Sequence, residues 1–163
     1  MHFRLIQVSE TPLSPSAISN FSIGDDDLTS FFADYWGDED KGDALEVLQE
    51  AFGDSIVEST DTYIVISKSK LGSMLKAKYE SWRSAVASMP FDDAIGRKSY
   101  MAMRATSYLS TGNAIFEHGW NGCGEHTWDY LSDMYRMRFK DPKTGHDHRT
   151  FKLYYGASLD FHV

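Results

Sequence analysis

From Lys68 to Met89, apolar side chains recur at intervals of three and four: Leu71, Met74, Leu75, Tyr79, Trp82 and Val86. That spacing draws one stripe along a helix and no continuous face along a strand. The stripe predicts a helix over Lys68–Met89, ended by Pro90, with Leu75, Tyr79 and Trp82 buried. A helix with one apolar face needs a second layer to bury it.

The C-terminal third supplies that layer. Tyr135, Met137 and Phe139 alternate with Arg136 and Arg138. After the turn sequence D-P-K-T-G, Phe151, Leu153 and Tyr155 alternate with Lys152 and Tyr154. A period of two is a strand signature, so this region reads as a basic, aromatic hairpin. Gly156 is expected to break its second arm, with Leu159, Phe161 and Val163 in a final strand. Phe3–Val8 and Ala114–Phe116 read as further strands, and Ile56–Ser67 as a hairpin rich in β-branched residues.

The remaining segments read as helix or connector. T-P-L-S-P-S is a connector that Pro12 and Pro15 keep from being helical. Leu28, Phe31, Phe32 and Tyr35 share helical spacing, with Gly37 as the stop. A second helix opens over Asp38–Asp43 and buries Ala44, Leu45, Leu48, Ala51 and Phe52, ending at Gly53. Phe91–Leu109 reads as another, with Ile95, Tyr100 and Met103 inward. The expected fold is a single α+β domain over residues 1–163, with helices in the first two thirds packed on an antiparallel sheet built largely from the C-terminal third. Within it lie an acidic helical segment, 25–61, and a basic C-terminal hairpin region, 134–163. A length of 163 residues and a 42% hydrophobic composition support one sizeable core.

Charge is distributed unevenly. The net charge is −8, yet residues 25–61 hold 13 acids against the single cation Lys41, a net of −12. From Ser67 onward 14 cations face 10 acids. A field of one sign concerns partners rather than fold. The acids interleave with aromatics in D-D-D-L-T-S-F-F-A-D-Y-W-G-D-E-D. Carboxylates so arrayed can occupy a basic, nucleic-acid-binding groove of another protein, while aromatics anchor the contact. The partner-binding residues expected on this reading are Asp25, Asp26, Asp27, Asp34, Tyr35, Trp36, Asp38, Glu39, Asp40 and Asp43. Against it stands an ordinary solvated helix face. Direct nucleic-acid binding is not expected at this acidity, although the cations of the C-terminal hairpin are placed to touch phosphates or a second copy of the chain.

Catalytic signatures are sparse. Glu117-His118-x-Trp120 recurs as Glu125-His126-x-Trp128, with Cys123 between, and His118, Cys123 and His126 are possible zinc ligands. Their spacing matches no paired zinc motif, so no metal and no cofactor is expected. A hydrolase or nuclease using that loop is the alternative reading, and a Cys123 nucleophile lacks an orienting group. No phosphate-binding glycine motif occurs. No run approaches the roughly 20 apolar residues of a membrane span. The opening MHFRLIQVSE lacks the apolar stretch of a signal peptide, so the expectation is a cytoplasmic protein. In composition, though in no motif, the profile resembles small inhibitors such as anti-CRISPR and nuclease-immunity proteins. The resulting expectation is an acidic inhibitor that docks on a basic, nucleic-acid-handling protein. Homodimerisation through acidic and basic parts is a further possibility.

Overall fold

A computed structural model describes residues 2–21, 35–39, 41–92, 114–117, 125–141 and 143–162. In chain order its elements are β1 (His2–Ser9), α1 (Pro15–Ser19), β2 (Tyr35–Glu39), α2 (Lys41–Phe52), a 3₁₀ turn (Gly53–Ser55), β3 (Ile56–Ser59) and β4 (Tyr63–Ser67). There follow α3 (Lys68–Ala87), β5 (Ala114–Glu117), β6 (Glu125–His126), α4 (Thr127–Asp133), a π-helical turn (Met134–Arg138) and β7 (Thr150–His162). The fold is α+β, with helices packed on one sheet in the order β3-β4-β7-β1-β5-β6.

The expected antiparallel layer is present, but its strands come from the whole chain. The C-terminal third contributes its axis, β7. One edge of β7 pairs antiparallel with β1 from Tyr154 to His162. The other edge takes β4 along Thr150–Tyr154 and β2 along Ser158–His162. One pairing departs from antiparallel: β1 runs parallel to β5, with Ile6 opposite Ile115.

One sheet face carries Ile6, Val8, Ile64, Ile66, Ile115, Leu153 and Tyr155. Against it pack Ala44, Val47, Leu48, Ala51 and Phe52 of α2, Leu71 and Leu75 of α3, and Tyr130, Leu131, Met134 and Phe139. The α2 face and the β3–β4 hairpin match expectation. Gly53 closes α2 at φ +49°, a conformation glycine adopts without a Cβ penalty. On the opposite face of β1, Leu5, Gln7 and Ser9 are buried too, so this strand is covered on both sides.

Five expectations need correction. Gly156 does not break β7. Between Ile6↔Ser158 and Val8↔Tyr155 the register shifts, placing one extra residue on β7. Such a bulge reverses the facing of everything beyond it. Leu159 therefore pairs with Leu5 on the face opposite Leu153 and Tyr155. Gly156 is needed for space: a Cβ there would collide with Gln7 Oε1 and lie 3.1 Å from Leu13 Cδ1. Gln7 is fully buried, and its Nε2 donates to the Ala17 carbonyl at 2.9 Å.

The second correction concerns residues 134–139, which are not a strand. Tyr130, Leu131 and Met134 continue the burial rhythm of α4, and the wide π turn carries the chain to buried Phe139 five residues on. Tyr135 and Met137, expected inward, are 38% and 64% exposed. The basic region is thus helix, turn and strand rather than a hairpin. Third, Tyr35–Gly37 are not a helix end, and Asp38 and Glu39 do not open the next helix, which begins at Lys41. Backbone pairing to β7 and the strand preference of Tyr and Trp place them in β2. Residues 28–34 of that predicted helix lie outside the described residues.

Fourth, Pro15 does not exclude a helix. It occupies the first turn of α1, where its missing N–H costs nothing, and Ser14 Oγ caps the turn by accepting from Ala17 N at 3.1 Å. Fifth, α3 buries only Leu71 and Leu75, in its first two turns. The helix is about 30 Å long at 1.5 Å per residue, and its second half passes beyond the core. Tyr79 is 44% exposed and Trp82 half-buried. Of the predicted helix at Phe91–Leu109, only Phe91 and Asp92 are described, both helical.

The bulge yields a stability test. Gly156→Ala is expected to destabilise the fold by about 1–3 kcal/mol through overpacking against Gln7. In a Gln7→Ala background the same change should cost markedly less, because the clash partner is gone. Denaturant titration of the four variants measures both effects, and equal costs in the two backgrounds would rule out this contact.

Candidate functional site

The sequence-predicted acids divide in two. Asp25, Asp26, Asp27, Asp34 and Asp40 lie outside the described residues. Tyr35, Trp36, Asp38 and Glu39 lie on β2 beside the C-terminal half of β7, and Asp43 lies in the first turn of α2. Further along the same stretch, Glu46, Glu50, Asp54, Glu58 and Asp61 are all exposed. Two of these acids meet neighbours of note. Glu58 Oε1 accepts from Tyr63 Oη at 2.7 Å, which holds that phenol above its usual range. Glu50 faces Lys78 of α3, whose amine is pushed down by burial and partly restored by the carboxylate.

His118 and Cys123 lie outside the described residues, and His126 stands on β6 opposite Ala114. Among the described residues no three His, Cys, Asp or Glu side chains are grouped as a metal would require. Nor is any helix among them long and apolar enough to cross a membrane.

A second feature was not legible in the sequence. Where β4 runs into α3, a cleft of about 540 Å³ opens between Val57, Ser67, Lys68, Ser69, Tyr135 and the segment Asp147–Thr150. Several local arrangements build it. Tyr135 lies against α3 because residue 72 is glycine: a Cβ there would sit 2.8 Å from the Tyr135 ring. The Asp141–His146 turn is held by its own side chain, Asp141 Oδ1 accepting from Lys143 N at 2.7 Å and Thr144 N at 2.9 Å. Gly145 completes the turn at φ +69°. Those backbone bonds hold the Asp141 carboxyl below its usual range.

The turn delivers Asp147 to Lys68. Their charged atoms are 2.6 Å apart, and the Lys68 amine stands 5.7 Å from the Tyr135 ring centroid. The Lys68 backbone N–H donates to the Arg149 carbonyl at 3.0 Å, tying the start of α3 to the approach of β7. A larger cleft of about 910 Å³ adjoins at Ser69, between the 3₁₀ turn and α3.

Several cations of the basic region have partners inside the molecule. Lys152 stacks on Tyr63 at 3.9 Å, Arg138 pairs with Glu10, and His148 Nε2 lies 3.9 Å from Asp141 Oδ2. No family model, curated protein or solved structure matches the chain.

The Lys68 ammonium, by hydrogen bond and charge, holds the Asp147 carboxyl below its usual range. A depressed folded value stabilises the fold above the ordinary carboxylate range, and that contribution is lost as pH falls through the folded value. Lys68→Met should therefore return the Asp147 titration to the ordinary range, read by carboxyl-carbon NMR. The stability gap between variant and parent should close in acid. An unmoved Asp147 titration would mean that the pair does not form in solution.

Proposed function

We propose that this chain is a small binding protein, of inhibitor type, that docks a carboxylate-rich surface onto a basic, nucleic-acid-handling protein. The observation that carries the reading is the net of −12 over residues 25–61, together with the exposure of all five of its acids whose side chains are described: Glu46, Glu50, Asp54, Glu58 and Asp61. Thirteen like charges in one stretch repel one another and gain nothing from burial. A complementary surface on a partner turns that repulsion into attraction. In support, Asp38 and Glu39 lie on strand β2, which is paired along β7, and Asp43 follows in the first turn of α2. Residues already paired in a sheet carry a smaller ordering cost into an interface. Tyr35 and Trp36 on the same strand are the aromatic anchors of this reading.

The test begins with affinity capture from the source cells, eluted in a salt gradient, which should release a basic partner as salt screens the contact. Charge reversal follows in three sets: Asp25/Asp26/Asp27, Asp38/Glu39/Asp40, and Glu46/Glu50. Lys76→Glu/Lys143→Glu serves as the control. The acidic sets should slow association and flatten its salt dependence, and an acid at the desolvated centre should cost about 2–5 kcal/mol of binding. If all three sets bind as the parent does while the control abolishes binding, the acids serve solubility alone.

A further inference from the structure

The cleft beside α3 joins parts of the chain that are far apart in sequence: Val57 of β3, Tyr135 of the π turn, and Asp147–Arg149 ahead of β7. Its apolar wall is open to water, Val57 being 47% and Tyr135 38% exposed. Apolar area left uncovered forgoes the transfer energy that burial gives. The ring is held in that position by a glycine at 72 and by a π turn, a rare element found often at functional sites. The rim is cationic. Lys68 and Asp147 neutralise each other. Arg149 is exposed at the rim and forms no ion pair with a described acid. His148 also lines the cleft, its Nε2 3.9 Å from Asp141 Oδ2.

We propose that this cleft binds a small aromatic oxyanion, a flat ring bearing a phosphate or carboxylate. Tyr135 and Val57 receive the ring. Arg149 receives the oxyanion through its forked donors. The Lys68–Asp147 pair is a positioning element: it fixes the segment that leads to Arg149 and leaves that guanidinium without an ion pair to a described acid. The cleft volume lies within the roughly 300–1,000 Å³ of ordinary small-molecule sites. This inference stands apart from the acidic-surface reading, since reversing those acids leaves the cleft side chains in place.

The experiment titrates phenyl phosphate, benzoate and inorganic phosphate separately into the ¹⁵N-labelled full chain at low salt. Saturable amide shifts at Tyr135 and Arg149 are expected with a ring compound, and the tighter of the two names the oxyanion. Inorganic phosphate should bind about three- to tenfold more weakly than phenyl phosphate, for want of the ring contact. Arg149→Ala should weaken the preferred ring compound about tenfold, whereas Lys143→Ala, on the turn outside the cleft, should leave it unchanged. The far-ultraviolet dichroism of both variants should match the parent. Three results would each overturn the proposal: no saturable shift with either ring compound up to about 10 mM, well past millimolar affinity; equal affinity for phenyl and inorganic phosphate; or undiminished binding by a folded Arg149→Ala.

Discussion

The structure depends on one strand that takes three partners. β7 is 13 residues long and pairs with β1, β2 and β4. Those partners come from the start, the first third and the middle of the chain, so the sheet cannot close until the last residues are in place. Contacts between such distant segments carry a loop-closure cost, and topologies of this kind fold slowly. The bulge at Gly156–Ala157 resolves a geometric conflict along the strand. Thr150–Tyr155 must put alternate residues under α2 and α3, while Leu159 must reach the other face beside Leu5. One extra residue serves both. Gln7 fixes the bulge from within the sheet, accepting from Ala157 N at 3.4 Å and donating to α1.

Local pattern was a reliable guide where pattern and packing agree. The α2 stripe and the first half of α3 follow from periodicity because each buries the face its spacing marks, while β1, β5 and the Ile56–Ser67 hairpin follow from apolar and β-branched composition. It misled where tertiary packing decides. Tyr135–Phe139 alternates as a strand does, yet Tyr130, Leu131 and Met134 just upstream set a helical burial rhythm that propagates through the alternation. Reading the two windows together would have exposed the conflict. Gly156 looked like punctuation because a bulge has no compositional mark beyond a glycine. Tyr79 carried the right spacing but lies beyond the core, and spacing alone says nothing about where the covering layer ends.

The cleft was illegible for a different reason. Val57 lies far from Tyr135 and Arg149 in the chain, and none belongs to a motif. What brings them together is backbone geometry: the β4–α3 junction, the π turn and the Asp141 turn. The last of these was foreseeable, since D-P-K-T-G is turn chemistry and Asp141 makes the side-chain bonds that such turns require. The acids, by contrast, were fully visible in the sequence, because charge is a property of composition and needs no fold to be counted.

Fold and charge meet in how the cations are used. The ion pairs formed between described side chains are Lys68–Asp147, Arg83–Glu80, Arg138–Glu10 and His148–Asp141. Every acid in them lies outside residues 25–61. Lys152 stacks on the Tyr63 ring, Arg138 pairs with Glu10 and Lys68 with Asp147. The carboxylates of Glu46, Asp54 and Asp61 take part in none of these pairs and stand exposed to solvent. The field of exposed carboxylates such as Glu46, Asp54 and Asp61 reaches into solvent over roughly a Debye length, about 8 Å at physiological ionic strength. That reach is what the proposed docking surface would use to steer a basic partner.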